Sequence, residues 1–323
     1  YLNMAITKIT TPELFNLQSN NTEGTQLPVM TIAERIAMTG MSNGELIFNS
    51  TTDSVEYYDL DATAWYKIDY EITEYEIEYL VIAGGGGAYY SGGGAGGYRT
   101  NVSTDTSGRN SSAEPAFAVV AGTVYTIIVG SGGTGSYNRS NGANSSFESI
   151  ISLGGGAGSP LWNNNGLPGG SGGGSNVLGS SGGTRSGGAG TTGQGYQGGA
   201  SLGSTPDGDA TSGGGGAGGV GAAAYNYSGS GWLGSAGGAG LVSSIDGLSL
   251  TRARGGQGGT SNPGAPTANS GNGAGWVDGG ADGVVIIRMK STAYSGTTTG
   301  SPVVSIVGTD TVLTYNSSGS YTA

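Results

Sequence analysis

The side chains that most often carry enzyme chemistry are missing from this chain. Its 323 residues include no histidine and no cysteine. A Ser-His-Asp or Cys-His nucleophile therefore has no base, and no thiolate–imidazole zinc site can form. Catalysis would fall to carboxylates alone, and a glycosidase needs two of them about 5–9 Å apart across a cleft. Asp207 with Asp209, and Asp278 with Asp282 around Gly279-Gly280, are candidate pairs. Both are more simply turn chemistry, because Asp accepts hydrogen bonds from backbone just ahead of it. Asp59 and Asp61 offer oxygen ligands that suit Ca²⁺, but no EF-hand spacing is present. Ten acidic residues between Glu45 and Glu78, against Lys67 alone, instead describe a solvated face. The expectation is a protein with no catalytic residue, no metal ligand and no cofactor.

Charge narrows the partners. Eleven basic residues stand against 22 acidic ones, for a formal net charge of −11. Phosphate backbones and anionic lipid need clustered Lys and Arg, and here they are scattered, so neither nucleic acid nor membrane insertion is expected. The residues best suited to contact are aromatic. Tyr89 and Tyr90, Trp162 with Asn163–Asn165, Tyr225 and Tyr227 with Trp232, and Trp276 all lie in turn-like stretches. Tyr and Trp give rigid contact area at low entropic cost, and their faces suit sugars. The competing role for the same rings is to cap and fill a core.

The elements that would hold these loops fall into four segments. Residues 1–40 form an N-terminal leader, ending in a short helix over Thr31–Met38 with Thr31 and Glu34 as a capping box. Residues 41–70 form a small β module with strands at Gly44–Asn49, Val55–Asp59 and Ala64–Ile68, too few to bury much alone. Residues 71–290 are glycine-rich: 63 of the chain's 70 glycines lie between Gly84 and Gly283. Residues 291–323 read as a β-hairpin connector, Val303–Val307 against Thr311–Tyr315, with Ser320–Ala323 leading into a further unit.

Such glycine density ordinarily signals disorder. The β-branched runs around it argue otherwise. Glu71–Ala83 alternates until both faces turn apolar at Leu80. Phe117–Val120 with Thr123–Val129 suggests a hairpin about Ala121-Gly122. Phe147–Leu153 reads as one strand, and Gly283–Met289 as a buried one. Between them run short glycine tracts such as Gly92–Gly97 and Gly213–Gly219. A polyproline-II-type helix points its N–H and C=O groups outward in three directions. Made of glycine, such helices can pack as a hydrogen-bonded lattice, with alanine and serine kept to its edge and loops emerging at its ends. No Gly-Lys-Ser/Thr follows any tract, so nucleotide binding is not indicated.

The ordered motifs Glu78–Gly87, Gly96-Gly97-Tyr98-Arg99, Val124–Gly130, Asn144–Phe147 and Asp282–Arg288 resemble glycine-rich domains of phage fibre-like proteins. Leu27–Arg35 with Gly44–Asn49 and Val55–Tyr58 resembles a short module of phage tail fibres. The glycine domain is also similar to that of the anaplastic lymphoma kinase ectodomain, though it lacks that domain's cysteines and carries no kinase sequence. The resemblance implies a mainly β fold: a jelly-roll-like scaffold with an inserted polyglycine-II helix bundle, plus the small N-terminal β module. It also implies a virion structural protein, a homotrimeric tail fibre or tip adhesin that joins other virion proteins through its N-terminal region. Its receptor would be a host-surface glycan or outer-membrane protein. Capsid decoration, head-fibre and polysaccharide-degrading spike roles are the alternatives.

Overall fold

The computed structural model describes residues 27–68, 74–160, 163–177, 183–203, 209–225, 233–259 and 265–323. The chain is mainly β, with a single α-helix among the described residues. Two compact units divide between Glu71 and Ile72. Among the described residues, no helix is long and apolar enough to cross a membrane.

In the first unit the helix runs Ile32–Ile36, and the expected capping box is present: the Glu34 N–H donates to Thr31 Oγ1 at 3.3 Å and the Thr31 N–H to Glu34 Oε2 at 2.7 Å. Val29–Met30 pairs in parallel with Leu46–Asn49, which continues antiparallel through Ser54–Asp59 to Ala64–Lys67. Ile47 and Tyr58 form the buried face. One acid departs from the expected solvated face. Glu56 is buried beneath Arg35, with Asn49 Nδ2 donating to its other oxygen at 2.9 Å. Burial opposes its ionisation, but the bonds from Arg35 and Asn49 outweigh it and hold the carboxyl below its usual range. The ion pair ties the helix to the sheet.

The second unit is built on two antiparallel sheets. In the first, Glu74–Ile82 is central. It pairs with Val284–Lys290 on one side, which leads on to Asp310–Tyr315 and Val303–Val307. On its other side, its first half pairs with Phe117–Val120 and its second with Tyr98–Thr100. The second sheet is ordered Ile150–Ser152, Ser145–Phe147, Val124–Ile128, Gly319–Thr322, Thr298–Thr299. Ile77, Tyr79, Val81, Val285, Ile287 and Leu313 of the first sheet meet Ile127, Phe147 and Tyr321 of the second in one core. The Tyr75 and Tyr321 hydroxyls meet across it at 2.5 Å. The alternate residues Leu80, Ile82, Val284 and Ile286 face the other way, onto Ala95, Ala217, Ile245 and Ala253. Both faces of the central strands are therefore buried, as their apolar runs require.

Two local expectations change. Phe117–Val120 and Val124–Ile128 are not a hairpin. Gly122, at φ +77°, turns a corner that sends the two strands into different sheets. Phe147–Leu153 is not one strand but a tight hairpin, with Glu148 left-handed at φ +49° and its N–H donating to the Thr126 carbonyl at 3.0 Å. Gly319–Thr322 is an inner strand of the second sheet with Tyr321 fully buried.

The glycine tracts carry a three-residue rhythm. Gly92 and Ala95 donate to Ser212 and Gly215; Gly93 and Gly96 donate to Ala274 and Gly271; Gly94 and Gly97 donate to Gly156 and Leu153. One tract thus donates to three neighbours in turn, which pairs backbone groups that burial would otherwise orphan. The tracts touch backbone to backbone: a Cβ on Gly93 would sit 2.0 Å from the Gly86 carbonyl oxygen. Alanine is not confined to the edge. Ala95 and Ala217 are fully buried because their methyls meet the sheet rather than another tract.

Two predictions follow from these contacts. Gly93→Ala should cost about 3 kcal/mol or more by overpacking, whereas Gly122→Ala, with open space around it, should cost about 1–2 kcal/mol from its left-handed backbone. Chemical denaturation separates the two. Asp310 accepts from Lys290 Nζ at 2.8 Å and Arg288 Nη2 at 2.7 Å, and these two partners hold its carboxyl below the ordinary 3.8. Its contribution is present above pH 3.8 and is lost as pH falls through the lower folded value. The stability gap between wild type and Asp310→Asn should therefore close on acidification below that point.

Candidate functional site

The tracts leave the sheets together. Ala83 donates to Gly97, Gly97 to Leu153 and Gly283 to Gly130. Their far ends are closed by the turns at 88–91, 135–139 and 275–279. There Ala88 donates to Asp278, Tyr90 to Trp276, Ser136 to Ala88 and Gly259 to Tyr90. The loops of separate tracts thus meet at the end remote from the sheets.

Three of the sequence-nominated aromatics converge there. Tyr89 and Tyr90 have ring centroids 4.2 Å apart, and Trp276 stands edge-on to Tyr90 at 5.6 Å. Two residues not singled out from the sequence complete the cluster. Tyr137, 67% exposed, stands edge-on to Tyr89 at 6.1 Å, and the Arg139 guanidinium lies 5.3 Å from the Tyr89 ring centre. Cation–π attraction of this kind contributes roughly 0.5–2 kcal/mol. The only signal for these two was a Ser-Tyr-Asn-Arg stretch between glycines, which looks like any other loop.

The backbone is bent to make this surface. Tyr90 (φ +68°), Ser136 (φ +63°) and Trp276 (φ +56°) are all left-handed. Bulky residues adopt that conformation only when their surroundings force it, and such strain concentrates at working sites. Arg139 Nε and Asp278 Oδ2 are enclosed without a hydrogen-bond partner, each at a cost of roughly 1–3 kcal/mol. The hydrogen bond with Tyr89, with burial adding to it, pushes the Tyr90 phenol above its ordinary 10. Burial presses the Arg139 guanidinium down, against the pull of Tyr89 and Tyr137.

Of the other nominated residues, Tyr225 and Asn163 are described and stand apart from this cluster. Tyr225 is 60% exposed in a separate small sheet, where it pairs with Leu202. Asn163 is left-handed at φ +60°, and its carbonyl accepts from Arg185 Nε at 2.6 Å, a structural clamp. Trp162, Tyr227 and Trp232 lie outside the described residues, as does Asp207. Of the described carboxylates, Asp59 serves a local turn, whereas Asp282 reaches across to another tract. Asp59 Oδ1 accepts from the Asp61 and Ala62 N–H groups, and Asp282 Oδ1 from that of Gly132.

A family model described as a glycine-rich domain matches residues 62–290. The chain belongs to the glycine-rich domain family. No curated protein and no solved structure matches it. Within this glycine-rich domain the aromatic cluster occupies the turns between tracts, where side chains have room.

If Tyr89 sets the Tyr90 phenol, Tyr89→Phe should bring the Tyr90 pKa back down toward 10. NMR titration of ring-labelled tyrosine reads this directly. An unchanged value would mean that burial alone holds the phenol up.

Proposed function

We propose that this chain is a structural protein of a phage particle, a tail fibre or tip adhesin that attaches the particle to its host. The observation that carries this is the gathering of Tyr89, Tyr90, Tyr137 and Trp276 at the end of the tracts remote from the sheets. A rigid support with aromatic loops at its tip suits recognition of an extended surface, and aromatic faces suit sugars.

On this reading the glycine tracts are polyglycine-II helices packed as a bundle, and the two sheets are a jelly-roll-like scaffold from which the bundle projects. The three-residue alternation of hydrogen-bond partners favours the first assignment, since a threefold helix turns its donors through three directions in succession. The first unit serves attachment to other virion proteins, and the fibre is a homotrimer. The receptor is a glycan or an outer-membrane protein. No catalytic step is assigned: among the described carboxylates, Asp59 and Asp282 are engaged by backbone N–H groups.

Immunogold labelling of intact particles with antibody against residues 84–283 tests this. Label at the tail or fibre tips, together with purified protein that blocks adsorption, is the expected result. Label spread over the capsid would replace adhesion with a decoration or head-fibre role. Absence of label from every particle would overturn the phage assignment.

A further inference from the structure

Beside the aromatic cluster the glycine tracts are parted by a groove of about 450 Å³, walled by residues 236–239 and 254–257 and closed by Pro266, Thr267, Asn272 and Gly275. Gly275 immediately precedes Trp276, so the groove runs up to the cluster. Two features of its wall point to a ligand.

The first is Arg254. The chain has eight arginines. Four of the others pair with carboxylates: Arg35 with Glu56, Arg99 with Glu114, Arg252 with Asp246 and Arg288 with Asp310. Arg109 and Arg139 lie over the rings of Tyr196 and Tyr89, and Arg185 donates to the Asn163 carbonyl. Among the described residues, Arg254 alone has no partner for its guanidinium. Its stem is nonetheless positioned: a Cβ on Gly240 would come within 2.9 Å of Arg254 Cγ, so the arginine lies where only glycine leaves room. Its own N–H is tied to Asn272 Oδ1 at 2.8 Å.

The second is the wall itself. The N–H groups of Gly237, Ala239 and Gln257 have no partner among the described residues, unlike those of the inner tracts. With the side chains of Gln257, Thr267 and Asn272 they offer a dense set of neutral donors and acceptors around one positive charge.

We infer that this groove binds an acidic sugar residue, with Arg254 on its carboxylate and the glycine backbone with Gln257, Thr267 and Asn272 on its hydroxyls. A planar carboxylate is the natural match for a guanidinium fork. The many neutral polar groups match a polyhydroxyl ring better than an acidic peptide, which offers few hydroxyls. The chain's net charge of −11 disfavours a densely charged polyanion. This assignment rests on the host-attachment reading and adds the sugar class.

Calorimetric titration with digalacturonate, and with digalactose as its uncharged counterpart, tests it on wild type and Arg254→Gln. Wild type should prefer digalacturonate by roughly tenfold or more, the worth of one charge-assisted hydrogen bond. Arg254→Gln should lose that preference while melting at the wild-type temperature, since the exposed guanidinium supports no packing partner. Equal binding of the two sugars would overturn the assignment, as would a preference that survives Arg254→Gln. So would tighter binding of a glutamate-containing tetrapeptide than of either sugar, or no binding of digalacturonate. If the protein still blocks adsorption in any of those cases, the groove assignment fails and host attachment stands.

Discussion

Everything in the second unit depends on how closely two peptide backbones can approach. At tract after tract, a neighbour's carbonyl oxygen lies about where a Cβ would be: 2.0 Å away at Gly85, 2.2 Å at Gly86 and 2.0 Å at Gly93. No L side chain survives at those distances. The glycines are therefore not there for flexibility. Ordering glycine carries the largest backbone entropy cost of any residue. What offsets it is a set of buried peptide groups that find partners in three directions, each bond adding a modest net gain.

The tracts cannot order one at a time, because the backbone bonds of each run to other tracts. The two sheets supply the start. Ile82, Tyr98 and Val284 bring three tracts to the same end of the scaffold, already spaced by strand pairing, and Ser152, whose Oγ donates to the Val81 carbonyl at 2.8 Å, brings a fourth beside them. Leu80, Ile82, Val284 and Ile286 then offer an apolar face against which Ala95 and Ala217 settle. The Arg99–Glu114 pair, with Tyr79 donating to the same carboxylate at 2.8 Å, locks the strand that carries the second tract out of the sheet. The scaffold provides conventional hydrophobic burial, and the tracts add the backbone pairing that extends it.

Much of the scaffold was legible in the residues. The alternation of Glu74–Ile82, the apolar run at Val284, the capping box at Thr31 and the three strands of the first unit all take the form their patterns suggest. What could not be read were decisions made by tertiary contact. Nothing in Phe147-Glu148-Ser149-Ile150 marks a turn, since glycine or asparagine is the usual signal; Glu148 turns there because Thr126 grips it at both ends. Ala121-Gly122 looks like any hairpin turn, and only the positions of the two sheets send its strands apart. In the candidate site, the Tyr89-Tyr90 pair and Trp276 were visible as loop aromatics. Tyr137 and Arg139 were not, because their nearness depends on tract ends some fifty residues distant in sequence meeting in space.

The same backbone contact also decides where function can reside. Side chains are excluded from the tract interiors, so the tracts can offer a ligand only edges and ends. The ends hold Tyr89, Tyr90, Tyr137 and Trp276; the edge holds Arg254, Gln257 and N–H groups that have no partner among the described residues. The exposed residues of the edge tract fall three apart, at Ala236 and Ala239 and at Arg254 and Gln257, so the repeat that packs the interior also spaces the chemistry outside. Loops joined to such a support can change length or composition without disturbing a single tract contact. On the host-attachment reading proposed above, a surface built this way can diversify while its support stays fixed.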